Sequence, residues 1–172
     1  MSETRKVCTI FPNIIEDYFS PDLKVCDIGF GGDKVVPYAD GIDQPTPYTN
    51  LGGDVNDIPC RVEQGIPVED NTYDVVFSSH LIEDFVDTKN ILTEFLRILK
   101  KDGTLILIFP DQQSFEYYCL TTGQLGNDAH QIPNMGYWYM RQQLDAIVEW
   151  EELWSNDREI PYNVVMVCRI KG

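Results

Sequence analysis

Apolar positions along this chain fall into two kinds of run. The longest, Tyr73-Asp74-Val75-Val76-Phe77-Ser78-Ser79-His80, and a second over residues 104–109 closed by Pro110 read as strands buried on both faces. Val25 and Ile28 mark a shorter strand, and Ala39-Asp40-Gly41-Ile42-Asp43 another. Between the two long runs, Ile91, Leu92, Phe95, Ile98 and Leu99 recur at helical spacing after Asp87. Lys100-Lys101 suits the carboxyl end of such a helix, and Gly103 its cap. Strand, helix, strand in that order predicts a right-handed parallel unit.

The flanks are less regular. Residues 1–8 read as a polar lead-in, followed by a short helix that begins near Pro12, presents Ile14, Ile15, Tyr18 and Phe19 on one face, and stops at Pro21. Residues 33–36 have room for one helical turn before Pro37. Residues 44–53 form a loop, and 54–59 a third strand at the edge of the sheet. Beyond Pro110, residues 114–120 read as helix, 121–136 as a Gly/Asn/Pro-rich loop and 137–147 as helix. Residues 148–155 and 162–170 are two strands with no room for a helix between them, so they pair antiparallel. No repeat or linker divides the 172 residues, which predicts one domain over 1–172, with 111–147 as its variable part.

Charge narrows the partners. The formal net charge is −15, from 28 acidic and 13 basic residues, and Lys100-Lys101 is the only basic doublet. That balance repels nucleic-acid backbones and anionic membranes and favours a small-molecule substrate. Five cysteines without C-x-x-C spacing read as reduced thiols of a cytoplasmic protein, with neither disulfides nor a metal site. No apolar run is long enough to cross a membrane.

Candidate chemistry gathers at strand ends. The first strand runs from Asp27 into Gly29-Phe30-Gly31-Gly32, where bare backbone can approach a ligand. Asp43-Gln44 closes the second strand, Asp54-Val55 follows the loop, and Ser78-Ser79-His80 closes the long strand. In open α/β sheets ligands sit beyond such carboxyl ends. For the acid after the loop, Asp57 or Glu69-Asp70 are alternatives to Asp54. His80 is the candidate base, with its charge change near neutral pH. His130 lies in a loop that can fold over the site, and Tyr137 and Trp138 can line a substrate pocket.

This ordered set resembles the class I S-adenosylmethionine-dependent methyltransferases over about residues 25–111. Asp27-Ile28-Gly29-Phe30-Gly31 looks like the family's D-x-G-x-G loop, and Gly41-Ile42-Asp43 like the acid that closes its second strand. Gly53-Asp54-Val55 resembles its adenine-side acid, and Arg97 to Gly103 the turn into its fifth strand. The resemblance implies an α/β, Rossmann-like, mostly parallel seven-stranded sheet of order 3-2-1-4-5-7-6 with a C-terminal antiparallel pair. It implies S-adenosylmethionine as cofactor and methyl transfer as activity. Asp27, Gly29, Phe30, Gly31, Gly32, Asp43, Gln44, Asp54, Val55, Ser78, Ser79 and His80 would then contact the cofactor. Pro37 and the Pro45–Pro47 loop depart from the pattern, because they shorten the helices after strands 1 and 2. One sheet face is left thin, to be covered by the N-terminal helix or by a partner, and a homo-oligomer is among the expected assemblies. A non-catalytic interaction module is the competing reading. A nicotinamide-dependent oxidoreductase is disfavoured, since Lys34 stands at the third glycine of G-x-G-x-x-G.

Overall fold

Side chains on a strand alternate between the two faces of its sheet, and here that alternation sorts the core into two layers. The computed structural model describes residues 2–46, 50–156 and 161–171. Its strands are β1 (Val25–Ile28), β2 (Asp40–Asp43), β3 (Ile58–Pro59), β4 (Tyr73–Ser79), β5 (Leu99–Pro110), β6 (Trp150–Asn156) and β7 (Asn163–Ile170). They form one seven-stranded sheet in the order β3-β2-β1-β4-β5-β7-β6, parallel up to β5 and antiparallel from β5 to β7 to β6, as expected.

On one face Cys26, Ile28, Val76, Leu105 and Leu107 pack under α3 (Thr88–Ile98) and α5 (Tyr137–Asp145). Asp87 caps α3 by accepting from the Asn90 N–H, and Ile91, Leu92, Phe95 and Ile98 are fully buried. Each such side chain stabilises the fold by roughly 1.5–3 kcal/mol of removed apolar surface. On the other face Val25, Val75, Phe77, Ile106 and Ile108 meet α1 (Glu3–Ile10), α2 (Asn13–Tyr18) and the residues Val35, Val36 and Ala39. The thin face is therefore closed by the chain's own N-terminal helices. α4 (Gln112–Thr122) follows β5 directly and is capped by Asp111.

Three expectations fail. Residues 3–10 are helical instead of a polar lead-in, because Ser2 caps the Arg5 N–H and Val7 reaches the core, the one fully buried side chain of the helix. Residues 33–36 make no helical turn, since side-chain carboxylates take up the N–H groups of Lys34 and Val35. Gly103 caps nothing: α3 ends at Ile98, β5 begins at once, and Lys100 on that strand pairs with Asp74 at 2.8 Å.

Arg97, near the end of α3, holds the segment that leads into β4. Its guanidinium donates to the Val68 carbonyl at 2.7 Å, to the Ile66 carbonyl at 2.8 Å and to Glu94 and Asp70. Lysine cannot reproduce that fork. Arg97→Lys is expected to cost about 2 kcal/mol. That lowers the thermal midpoint by roughly 4–8 °C in a chain this size. An unchanged midpoint in calorimetry would show that the fork contributes nothing.

Candidate functional site

The carboxyl ends of β1, β2 and β4 open onto one cleft, built from the backbone outward. After Ile28 the chain turns through Gly29, Gly31 and Gly32, all at positive φ. A Cβ on Gly29 would lie 2.8 Å from Leu81, so this close approach of turn and neighbour admits only glycine without rearrangement. Asp43 at the end of β2 clamps the turn. Its Oδ2 accepts from the Gly31 N–H at 3.0 Å and its Oδ1 from the Gln44 N–H at 2.7 Å. Asn56 fixes that strand end in turn, donating to the carbonyls of Asp43 and Gln44.

Gly29, Gly31, Asp43, Gln44 and His80 line the cleft. The sequence reading missed its other two walls. One is Cys60-Arg61-Val62-Glu63, at the end of β3 and the start of a 3-10 turn over Val62–Gln64. The other is Leu81, Asp84 and Phe85, around a second 3-10 turn over Ile82–Asp84. The available signal was the stretch immediately after His80, which carries two acids between apolar residues.

The remaining predicted residues lie elsewhere. Asp27 is 1% exposed, and its Oδ2 accepts from the Val35 N–H at 2.7 Å, so it braces the crossover behind the turn. Burial pushes its carboxyl up to about 7, against the pull of the Val35 N–H. Phe30 packs beside Lys34, and Gly32 lies under Asn50. The Ser78 hydroxyl donates to the Ile28 carbonyl at 3.0 Å, while Ser79 Oγ is buried without a partner. Asp54 accepts from the Lys34 N–H at 2.8 Å, and Val55 is exposed. Neither is among the cleft's lining residues. Asp57, an alternative to Asp54, pairs with the Lys34 ammonium and also accepts from the Gly41 N–H. Tyr137 and Trp138 line a separate surface cleft with Asp111, Tyr162 and Asn163.

At the β4 end a polar group gathers around Glu83. His80 sits at φ 53, a left-handed conformation that non-glycine residues adopt at a cost. Its Nδ1 is 3.3 Å from Glu83 Oε1, and Glu83 is 1% exposed. His130 Nε2 lies 3.8 Å from the same oxygen, and its Nδ1 is 2.9 Å from Gln112 Oε1. Burial lowers His80, but the hydrogen bond and charge of Glu83, with more distant help from Glu3, lift it above its ordinary value. Burial holds His130 below its own. Burial, then the Glu83 carboxylate, push Asp84 up to about 6.

The cleft suits S-adenosylmethionine. The cofactor carries no phosphate, and it needs acceptors for the ribose diol and amino groups, close backbone approach and a surround that tolerates a cationic sulfonium. Asp43, the glycine turn and the unpartnered Asp84 Oδ1 provide these. No three His, Cys, Asp or Glu side chains among the described residues are grouped to hold a metal ion. No helix of the described residues is long and apolar enough to cross a membrane.

Comparison with known proteins agrees. Residues 27–107 match the family model described as a methyltransferase domain. A ubiquinone/menaquinone biosynthesis C-methyltransferase of Campylobacter jejuni is 26% identical over 121 residues, which cover 60% of this chain and 50% of that protein. The chain thus spans about half the length of the curated relatives it matches. Among solved structures, a protein of Pyrococcus horikoshii superposes with a TM-score of 0.73 at 15% identity, covering 99% of this chain and 93% of that one. An S-adenosylmethionine-dependent methyltransferase from Archaeoglobus fulgidus gives 0.69 at 14% identity, with 98% and 95% covered. Residues 27–107 thus resemble a methyltransferase domain, and the sheet order and the glycine turn are those of the class I S-adenosylmethionine-dependent methyltransferase fold.

Proposed function

We propose that this chain transfers a methyl group from S-adenosylmethionine to a small-molecule acceptor. One observation carries the reading: the Asp43 carboxylate, the Gly29–Gly31 backbone and the polar end of β4 converge on a single cleft at the carboxyl edge of the sheet. In that cleft Asp43 would accept from the ribose hydroxyls, and the glycine turn would admit the methionyl arm. Val62, Leu81 and Phe85 offer apolar wall, and Arg61 is the cation among the lining residues. The cofactor supplies an electrophilic methyl on sulfur. The chain's part is to hold donor and acceptor in line and exclude water, which can account for most of the rate of such a displacement. A net charge of −15 favours a cationic ligand over a polyanionic one.

Thermal-shift titration tests this directly. S-adenosylhomocysteine at about 100 times its dissociation constant adds roughly 2.7 kcal/mol. A rise of about 5–11 °C in the midpoint is therefore expected. If neither S-adenosylmethionine nor S-adenosylhomocysteine moves the midpoint, the methyltransferase reading fails and a non-catalytic module takes its place.

A further inference from the structure

We propose that His80 and Glu83 form a proton-accepting pair facing the methyl acceptor, so that this acceptor reacts through an O–H or N–H group whose proton must leave. The inference rests on the methyl-transfer reading and adds the chemical class of the acceptor to it.

Five buried side-chain atoms of the described residues have no hydrogen-bond partner: Ser79 Oγ, His80 Nε2, Glu83 Oε2, Asp84 Oδ1 and Asn163 Oδ1. Four of the five belong to residues 79–84, at the end of β4 and on the turn that follows it. Buried polar atoms are ordinarily paired, so such a group next to a ligand cleft marks capacity held for a ligand. His80 and Asp84 line the cleft itself.

The arrangement around His80 is directional. Its left-handed backbone brings Nδ1 to 3.3 Å from Glu83 Oε1, which leaves Nε2 as the buried nitrogen without a hydrogen-bond partner, on the side of Asn163. Glu83 is 1% exposed, a depth at which a carboxylate needs compensating partners. His130 approaches the same oxygen, but it is turned to Gln112 through its other nitrogen and stacks obliquely on Phe115. Facing His80 from the remaining packed elements are Glu3 of α1, Asn163 of β7 and the ring of Tyr162, with Asp84 beside Glu83. The charged groups among these are carboxylates, which favour the imidazolium.

The acceptor's heteroatom forms its new bond to the methyl carbon, and the carbon–sulfur bond breaks with its electron pair left on sulfur. The heteroatom's proton passes to His80 Nε2. The resulting imidazolium is stabilised by Glu83 and later returns the proton to solvent. Glu83 is a positioning residue in this scheme, since it acts through His80.

The chain has two histidines, so each imidazole can be assigned by single substitution. Nitrogen-15 NMR of the labelled full chain, with and without S-adenosylhomocysteine, reads the tautomer and titration of each. We expect neutral His80 to carry its proton on Nδ1 with Nε2 bare. We expect Glu83→Gln to lower the His80 midpoint by at least about one pH unit, and Glu83→Asp to recover part of that. Neutral His80 protonated on Nε2 would make it a donor to Asn163 and overturn the proposal, as would a midpoint unmoved in Glu83→Gln. The tautomer is read in the unsubstituted chain, so the test survives a variant that fails to fold. If S-adenosylhomocysteine does not bind the unsubstituted chain, the methyl-transfer reading fails. If it binds and the tautomer is wrong, only the proton-accepting pair fails.

Discussion

Replacing Asp43 with alanine is expected to weaken S-adenosylhomocysteine binding by about 100-fold or more. Hydrogen bonds to a charged acceptor contribute roughly 1.5–3 kcal/mol each, so loss of two ribose contacts corresponds to about 10²–10⁴ in affinity. The same carboxylate also holds the turn through the Gly31 and Gln44 N–H groups, and its removal frees both. Calorimetric titration gives the affinity, and the unliganded thermal midpoint separates lost ligand contacts from a lost fold. Asp43→Asn should fall between the two, because its amide keeps one acceptor oxygen and replaces the other with a donor. Affinity within threefold of the original chain in Asp43→Ala would remove Asp43 from the ribose site.

Asp27→Asn should do the opposite of what its place in the D-x-G-x-G motif suggests: at pH 8 the variant is expected to be more stable. Burial lifts the Asp27 carboxyl from 3.8 to about 7 in the folded chain. The folded state therefore holds this proton more tightly than the unfolded state does. Stability from this group is greatest below about pH 4, falls as pH rises toward 7, and then levels off. The full cost of the buried charge is on the order of 4 kcal/mol. Asparagine is neutral throughout, and its carbonyl can still accept from Val35. The midpoint difference between variant and original should thus be small near pH 4 and reach roughly 8–16 °C at pH 8. A difference that does not grow with pH would place the Asp27 carboxylate in a better-compensated environment than its neighbours provide.

Strand order and type were legible because burial on both faces leaves a plain mark. Residues 73–79 and 104–109 carry continuous apolar runs, and both are strands at the centre of the sheet. α3 was equally plain, since Ile91, Leu92, Phe95 and Ile98 repeat at helical spacing and all four are buried. α1 was hidden because Val7 is its one fully enclosed side chain, and periodicity cannot be read from a single position. The site divided along a different line. Sequence identifies carboxylates at strand ends but not which N–H each will face. Asp43 lines the cleft, while Asp27 and Asp54 turn to Val35 and Lys34 behind it. Glu83 was missed for a related reason. Its chemistry depends on His80 and His130, fifty residues apart in the chain, meeting at one oxygen.

The crossover after β1 has a consequence for how this protein tolerates substitution. A helix there would be held by main-chain bonds that most side chains leave intact. Here the stretch is held by named side chains: Asp27 on Val35, Asp54 on Lys34, Asp57 on the Lys34 ammonium, and Ser2 and Arg5 on Asp33. Connecting segments are ordinarily where a fold accepts change most freely. In a saturation-mutagenesis map of this chain that ordering should invert locally: positions 27, 33, 34, 54 and 57, most of them in connecting segments, should resemble the core in their intolerance, while the polar face of α3 accepts almost anything.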